Sequence, residues 1–266
     1  MFCGSDAFHL EVTEKMMEQF KFTKMKVDTF SFTGCMITKL ENGDIQIYQK
    51  EYASKVEIND IPEGPSKRML NEKEKKQYRE YIGKLNWLSQ LTDPTISFLT
   101  HEYSTRISSA KVEDLKKLRR LLILAKENPK EIVLRKLSDD PYNEDIRILV
   151  YSDASHTKRD GVGNSVNGRI SFIVNTKTGQ SNPLEWKTKK LARVCRSIKT
   201  AEAISAEENS GRGSNFGVMY RELLTGIKKK QQSDLMKSPT IRCGKSEVKI
   251  IICDICQKFY FFIINL

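Results

Sequence analysis

Long apolar runs are missing from this chain of 266 residues. Nowhere do 18 apolar residues follow one another, so no membrane-spanning helix is expected. Histidine is scarce: His9, His101 and His156 are far apart in sequence. The six cysteines (Cys3, Cys35, Cys195, Cys243, Cys253, Cys256) are scattered rather than set as a disulfide framework. Cys253 and Cys256 have Cys-x-x-Cys spacing, but a zinc site needs two more ligands, so the pair reads as incidental and the thiols as reduced. The opening MFCGSDAFHLEV lacks the basic start and apolar core of a signal peptide. An intracellular protein, cytoplasmic or nuclear, with no membrane partner is expected.

Negative charge is the minority sign, with 34 acidic residues against 45 Lys and Arg and a formal net charge of +11. That balance favours anionic partners, nucleic acid foremost. The chain is also 39% apolar and 30% charged, enough to bury real cores under a dense charged surface. Its length suits one large domain or two ordinary ones.

Periodicity divides the chain near residues 128–131. Before that point, Phe8, Val12, Met16 and Phe20 recur at four-residue steps and predict a helix over 7–20. DTFSFTGCMI and GDIQIYQKEYASKV read as strands joined at Asn42-Gly43. Asn71 and Glu74 have capping-box spacing ahead of a helix with Tyr78, Tyr81, Ile82, Leu85 and Leu88 on one side. A further helix over 110–127 buries Leu115, Leu118, Leu121, Leu122 and Ala125. Its other face (Lys111, Lys116, Lys117, Arg119, Arg120) is either solvated or turned to a phosphate backbone. Beyond the division, 131–137, 146–152, 168–175 and 183–187 predict successive strands. A helix follows from about Thr200, disturbed by NSGRGSNFG, and then the strand EVKIIIC.

Three carboxylates take related places in this pattern. Asp153 and Asp254 each close a strand, and Glu202 sits in the first turn of a helix. Strand ends and helix starts on one side of a sheet converge at a rim, where α/β folds place their chemistry. Clustered carboxylates raise one another's pKa values, and hard divalent cations relieve that repulsion. Two such ions about 4 Å apart can clamp the attacking and leaving oxygens of a phosphodiester. Equally, acidic residues cap helices and begin turns, and Glu202 is well placed against a helix dipole.

The order of motifs adds a resemblance. LVYSDASHTKRDGVGNSVNGRISFIVN (149–175), NPLEWKTKKLARVCRSIKTAEAISAEE (182–208) and VKIIICD (248–254) resemble the ribonuclease H domain of copia-type retrotransposon Pol polyproteins. Upstream, FSFTGCMI, IQIYQKEYASKV and YIGKLNWLSQLTDPTISF are similar to the last part of that family's reverse transcriptase. The resemblance implies an α+β or α/β protein in two parts. Residues 1–128 are expected as a small α+β remnant of the reverse transcriptase palm edge and connection. Residues 129–266 are expected as an incomplete ribonuclease H-like mixed sheet with flanking helices.

It further implies that Asp153, Glu202 and Asp254 are catalytic and hold Mg²⁺ (or Mn²⁺), with water attacking the RNA strand of an RNA–DNA hybrid. The cations Lys187, Lys189, Lys190, Arg193, Arg196 and Lys199 are expected to hold nucleic acid.

The chain also departs from that family. The family's Tyr-x-Asp-Asp polymerase hairpin falls before the segment resembling MFCGSDAF. The pair Asp139-Asp140 lies instead in the polar stretch KLSDDPYNED, so no polymerisation is expected. A fourth ribonuclease H carboxylate would lie beyond Leu266. Asp254 is followed by Ile255-Cys256-Gln257 rather than by Asn, a polar residue and Ser, and KFYFFIINL is unbroken apolar sequence. TDPTI lacks the arginine that family members often carry before the proline. The expectation is a truncated, catalytically incomplete fragment of a transposable element that binds nucleic acid. The alternatives are a residual Mg²⁺-dependent ribonuclease H and an inert relic that folds poorly.

Overall fold

Two apolar helix stripes and a hairpin sequence organise the first part of the chain. The computed structural model describes residues 14–20, 28–61, 63–139, 145–159, 162–225, 241–243, 246–248 and 250–254. Helix α1 (Glu14–Gln19) precedes strands β1 (Thr29–Phe32), β2 (Cys35–Lys39) and β3 (Ile45–Tyr48). DTFSFTGCMI is two strands rather than one, because Thr33 and Gly34 take positive φ (47° and 81°) and reverse the chain. Asn42-Gly43 lies in the reversal between β2 and β3, as its residues predict. After β3 the chain turns helical, in α2 (Lys50–Ser54), instead of continuing as strand.

Helices α3 (Glu72–Leu91), α4 (Ser97–Ser104) and α5 (Val112–Glu127) share one core. The capping box forms as its spacing predicts. The Glu74 amide donates to Asn71 Oδ1 at 2.9 Å, and the Asn71 amide donates to Glu74 Oε2 at 2.8 Å. Tyr78, Tyr81 and Leu85 of α3 meet Leu115, Leu118 and Leu122 of α5, all fully buried. Burial of each such aliphatic side chain stabilises by about 1.5–3 kcal/mol. Part of the basic surface of α5 serves the fold: Arg119 Nε and Lys126 Nζ donate to the carbonyls of Asn59 and Val56 at 3.1 and 2.8 Å.

Strand β4 (Glu131–Leu134) pairs antiparallel with β3 and completes a sheet of order β1-β2-β3-β4. It therefore does not join the later strands, as its position in the sequence suggested. An apolar run marks a strand but does not name its neighbour.

The second sheet contains β5 (Ile146–Arg159), β6 (Val162–Asn175), β7 (Ser181–Lys190) and β10 (Ile250–Asp254), in the order β10-β5-β6-β7. β5, β6 and β7 form an antiparallel meander, while β10 runs parallel to β5. Between β7 and β10 come helix α6 (Ile198–Thr225) and a small pair, β8 (Ile241–Cys243) and β9 (Ser246–Val248). The architecture is mixed α+β.

Helix α6 is continuous through NSGRGSNFG, where the sequence predicted a disturbance. Glycines at 211, 213 and 217 weaken it by roughly 1 kcal/mol each relative to alanine. Packing against the sheet outweighs that cost, with Phe216 against Ile148 and Val150 and with Val218 buried.

Candidate functional site

Alternation along β5 decides which residues face α6. Ile148, Val150, Ser152 and Ala154 are buried, and the residues between them, Asp153 included, are half-buried. One Asp153 oxygen, Oδ1, accepts the Ala154 amide at 2.9 Å. Across the meander Asp153 pairs with Gly168, and Gly168 pairs with Thr188.

Asp153 does not close its strand, as its sequence suggested it would. Strand β5 pairs with β6 as far as Arg159, so Asp153 stands in mid-strand, and Asp254 and Glu202 come near that level of the sheet. In the parallel ladder the Asp254 Cα partners Ser152, one residue from Asp153. Ala201, immediately before Glu202, is fully buried in a cluster with Ala154, Leu191 and Cys195. Of the chain neighbours of Asp153, Ala154 thus shares a buried cluster with the chain neighbour of Glu202, and Ser152 pairs with Asp254. Glu202 is half-buried. It lies just past the first turn rather than in it, because α6 starts at Ile198 and carries no acidic residue in that turn. Its interaction with the helix dipole is correspondingly weaker, since that effect fades beyond the first turn. Ser197 closes the helix start instead, its Oγ accepting the Thr200 amide at 3.2 Å.

The side chain of Asp254 lies outside the described residues, as do Asp140 and Cys256. Among the described residues no three His, Cys, Asp or Glu side chains gather as a metal site. The donors at the three positions are all carboxylate oxygens, a set whose chemistry fits Mg²⁺ or Mn²⁺.

Five of the six expected nucleic-acid contacts are exposed: Lys187 and Lys190 on β7, Arg193 and Arg196 on the following loop, and Lys199 in the first turn of α6. The sixth, Lys189, is half-buried and paired with a carboxylate of α6. Its Nζ lies 2.6 Å from Glu208 Oε2. Hydrogen bonding from Lys189 holds the Glu208 carboxyl below its usual range.

Beneath α6 lies a polar row that includes none of the site residues expected from the sequence motifs. Ser165, Asn167, Arg169 and Ser171 of β6 are all buried, whereas Val166, Ile170 and Phe172 on the other face are half-buried. Asn167 bonds to Ser205, Glu208 and Asn209 of α6. Arg169 donates to Glu185 at 2.8 Å, and Glu185 also lies near Arg212. The sequence signal was an every-second-residue polar pattern, S-x-N-x-R-x-S, inside an apolar strand.

No protein-family model matches this chain, and no curated protein matches it. No helix among the described residues is long and apolar enough to cross a membrane.

Proposed function

We propose that the chain is a nucleic-acid-handling unit of a copia-type Pol polyprotein, with a ribonuclease H-like sheet following a reverse transcriptase connection segment. It holds an RNA–DNA hybrid through its exposed cations and cuts the RNA strand with Mg²⁺ at Asp153, Glu202 and Asp254. The observation carrying this reading is the parallel pairing of β10 with β5, which sets Asp254 beside the residue preceding Asp153. The burial of Ala201 in one cluster with Ala154 supports it from the helix side.

Each residue group has a distinct task. Lys187, Lys190, Arg193, Arg196 and Lys199 neutralise phosphates without reading bases, which makes binding sequence-tolerant and steeply salt-dependent. The Ala154 amide fixes one oxygen of Asp153 and so limits how that carboxylate turns. Asp153, Glu202 and Asp254 would hold the ions. Mg²⁺ held by these carboxylates would supply an activated water and would offset charge developing on the phosphodiester.

The test is cleavage of a labelled RNA–DNA hybrid with Mg²⁺ or Mn²⁺, run beside Asp153→Asn, with hybrid affinity measured across a salt series. The parent should cut, and the variant should lose about 10²–10³ in rate while keeping its affinity. Salt-sensitive binding with no cutting by either protein would remove the ribonuclease and leave a binding module. No salt-sensitive hybrid binding would remove both.

A further inference from the structure

Asn167, in the middle of β6, is 1% exposed and directs its whole amide at one helix. Its Oδ1 accepts from Ser205 Oγ at 2.8 Å and from Asn209 Nδ2 at 3.1 Å, and its Nδ2 donates to Glu208 Oε2 at 3.3 Å. Ser205 and Asn209 stand one turn apart and bond to each other at 3.1 Å. A single side chain therefore grips two successive turns of α6. Sliding the helix by one residue means moving about 1.5 Å and turning about 100°, and no such step keeps all three bonds. The apolar contacts nearby, among Ala154, Leu191, Cys195 and Ala201, are non-directional and cannot enforce one register.

The grip lies on the link between two of the carboxylate positions. On the helix, Ser205 and Asn209 come three and seven residues after Glu202, spacings that return to nearly the same side. On the sheet, Asn167 is the register partner of Ala154, the residue after Asp153.

We propose that Asn167 is a positioning residue that fixes the rotation and axial register of α6 on the sheet, and thereby sets where Glu202 stands relative to Asp153. Its consequence for cleavage rests on the ribonuclease reading above; the grip itself rests on the hydrogen bonds.

The test uses Asn167→Ala with Ser171→Ala as control. Ser171 is on the same face of β6, fully buried, and its hydroxyl has no hydrogen-bond partner among the described residues. Amide hydrogen exchange over 198–212 should accelerate in Asn167→Ala well beyond the control. In hybrid cleavage, the Mg²⁺ concentration for half-maximal rate should rise roughly tenfold, with KM for hybrid unchanged. Placed in a Glu202→Gln background, Asn167→Ala should cause no further loss of rate, because it acts through Glu202.

Exchange no faster than in the control would overturn the proposal, as would rate losses that multiply in the double variant. A parent that cuts hybrid while Asn167→Ala keeps the parent's Mg²⁺ dependence would refute positioning and spare the ribonuclease reading. Faster exchange in a parent background that neither binds Mg²⁺ nor cuts would do the reverse, supporting the grip and refuting the ribonuclease.

Discussion

At Asp93, burial and hydrogen bonding pull one carboxyl in opposite directions. The residue is 4% exposed and immediately precedes Pro94. Its Oδ1 accepts both the amide and the hydroxyl of Thr95, capping the short 3-10 turn Pro94–Ile96. Burial is the larger influence and pushes the carboxyl above its ordinary range, while the Thr95 bonds and Lys130 pull it back. With the folded pKa above the unfolded one, the favourable contribution is complete below the unfolded pKa. It is lost as pH rises through the folded value. Asp93→Asn keeps the acceptor without the charge, so it should melt higher than the parent at pH 7. The expected gain is about 2–4 °C per kcal/mol relieved. Below the unfolded pKa, about 3.9, the advantage should vanish. An equal difference at both pH values would mean that buried charge is not the cause.

At the scale of elements, α6 shows local preference yielding to packing. Gly211 lies within the helix, and a Cβ added there meets nothing within 4 Å. Gly211→Ala should therefore stabilise by about 0.5–1 kcal/mol, read as a raised denaturation midpoint with unchanged slope. Destabilisation would mean that α6 departs from regular helix at this point. The same contest explains what the sequence revealed. Stripes such as Tyr78-Tyr81-Leu85 and the Asn71–Glu74 box announced α3, because helix periodicity and capping are local. The split of DTFSFTGCMI was hidden because Thr33 is an uncommon residue for a positive φ. The attachment of β4 to β3 was hidden because pairing is non-local. Of the candidate site, Asp254 could be placed as a strand end from its apolar run. Asp153 instead stands in mid-strand, because β5 runs on through polar residues to Arg159, held by its long pairing with β6. That Lys189 pairs with Glu208 depends on the docking of α6 across the sheet, which no local pattern encodes.

For the whole molecule, the contacts between the two sheets' units gather on β7. Asn182 exchanges hydrogen bonds with the backbone of Arg135 at 2.7 and 2.8 Å, and Ser97 Oγ donates to Thr188 Oγ1 at 3.3 Å. The most informative contact is Trp186, whose indole Nε1 donates to the Ser89 carbonyl. Ser89 is among the last four residues of α3, whose carbonyls lack amide partners within the helix. The Leu88 carbonyl is taken by the amides of Thr92 and Asp93, and a side chain of the second sheet serves Ser89. Trp186 thus closes a helix end in one unit while standing in a strand of the other. It is flanked on β7 by Glu185, which holds Arg169, and by the exposed Lys187. Trp186→Phe keeps an aromatic ring but leaves the Ser89 carbonyl without that donor, a loss of about 1–3 kcal/mol. Because this bond joins the units, the loss should fall on their coupling. Calorimetry should show one cooperative transition for the parent and, for Trp186→Phe, a lower transition that broadens or splits. A single sharp transition at the parent's temperature would mean that the two units hold together without the indole, and that β7 is oriented by Asn182 and Thr188 alone.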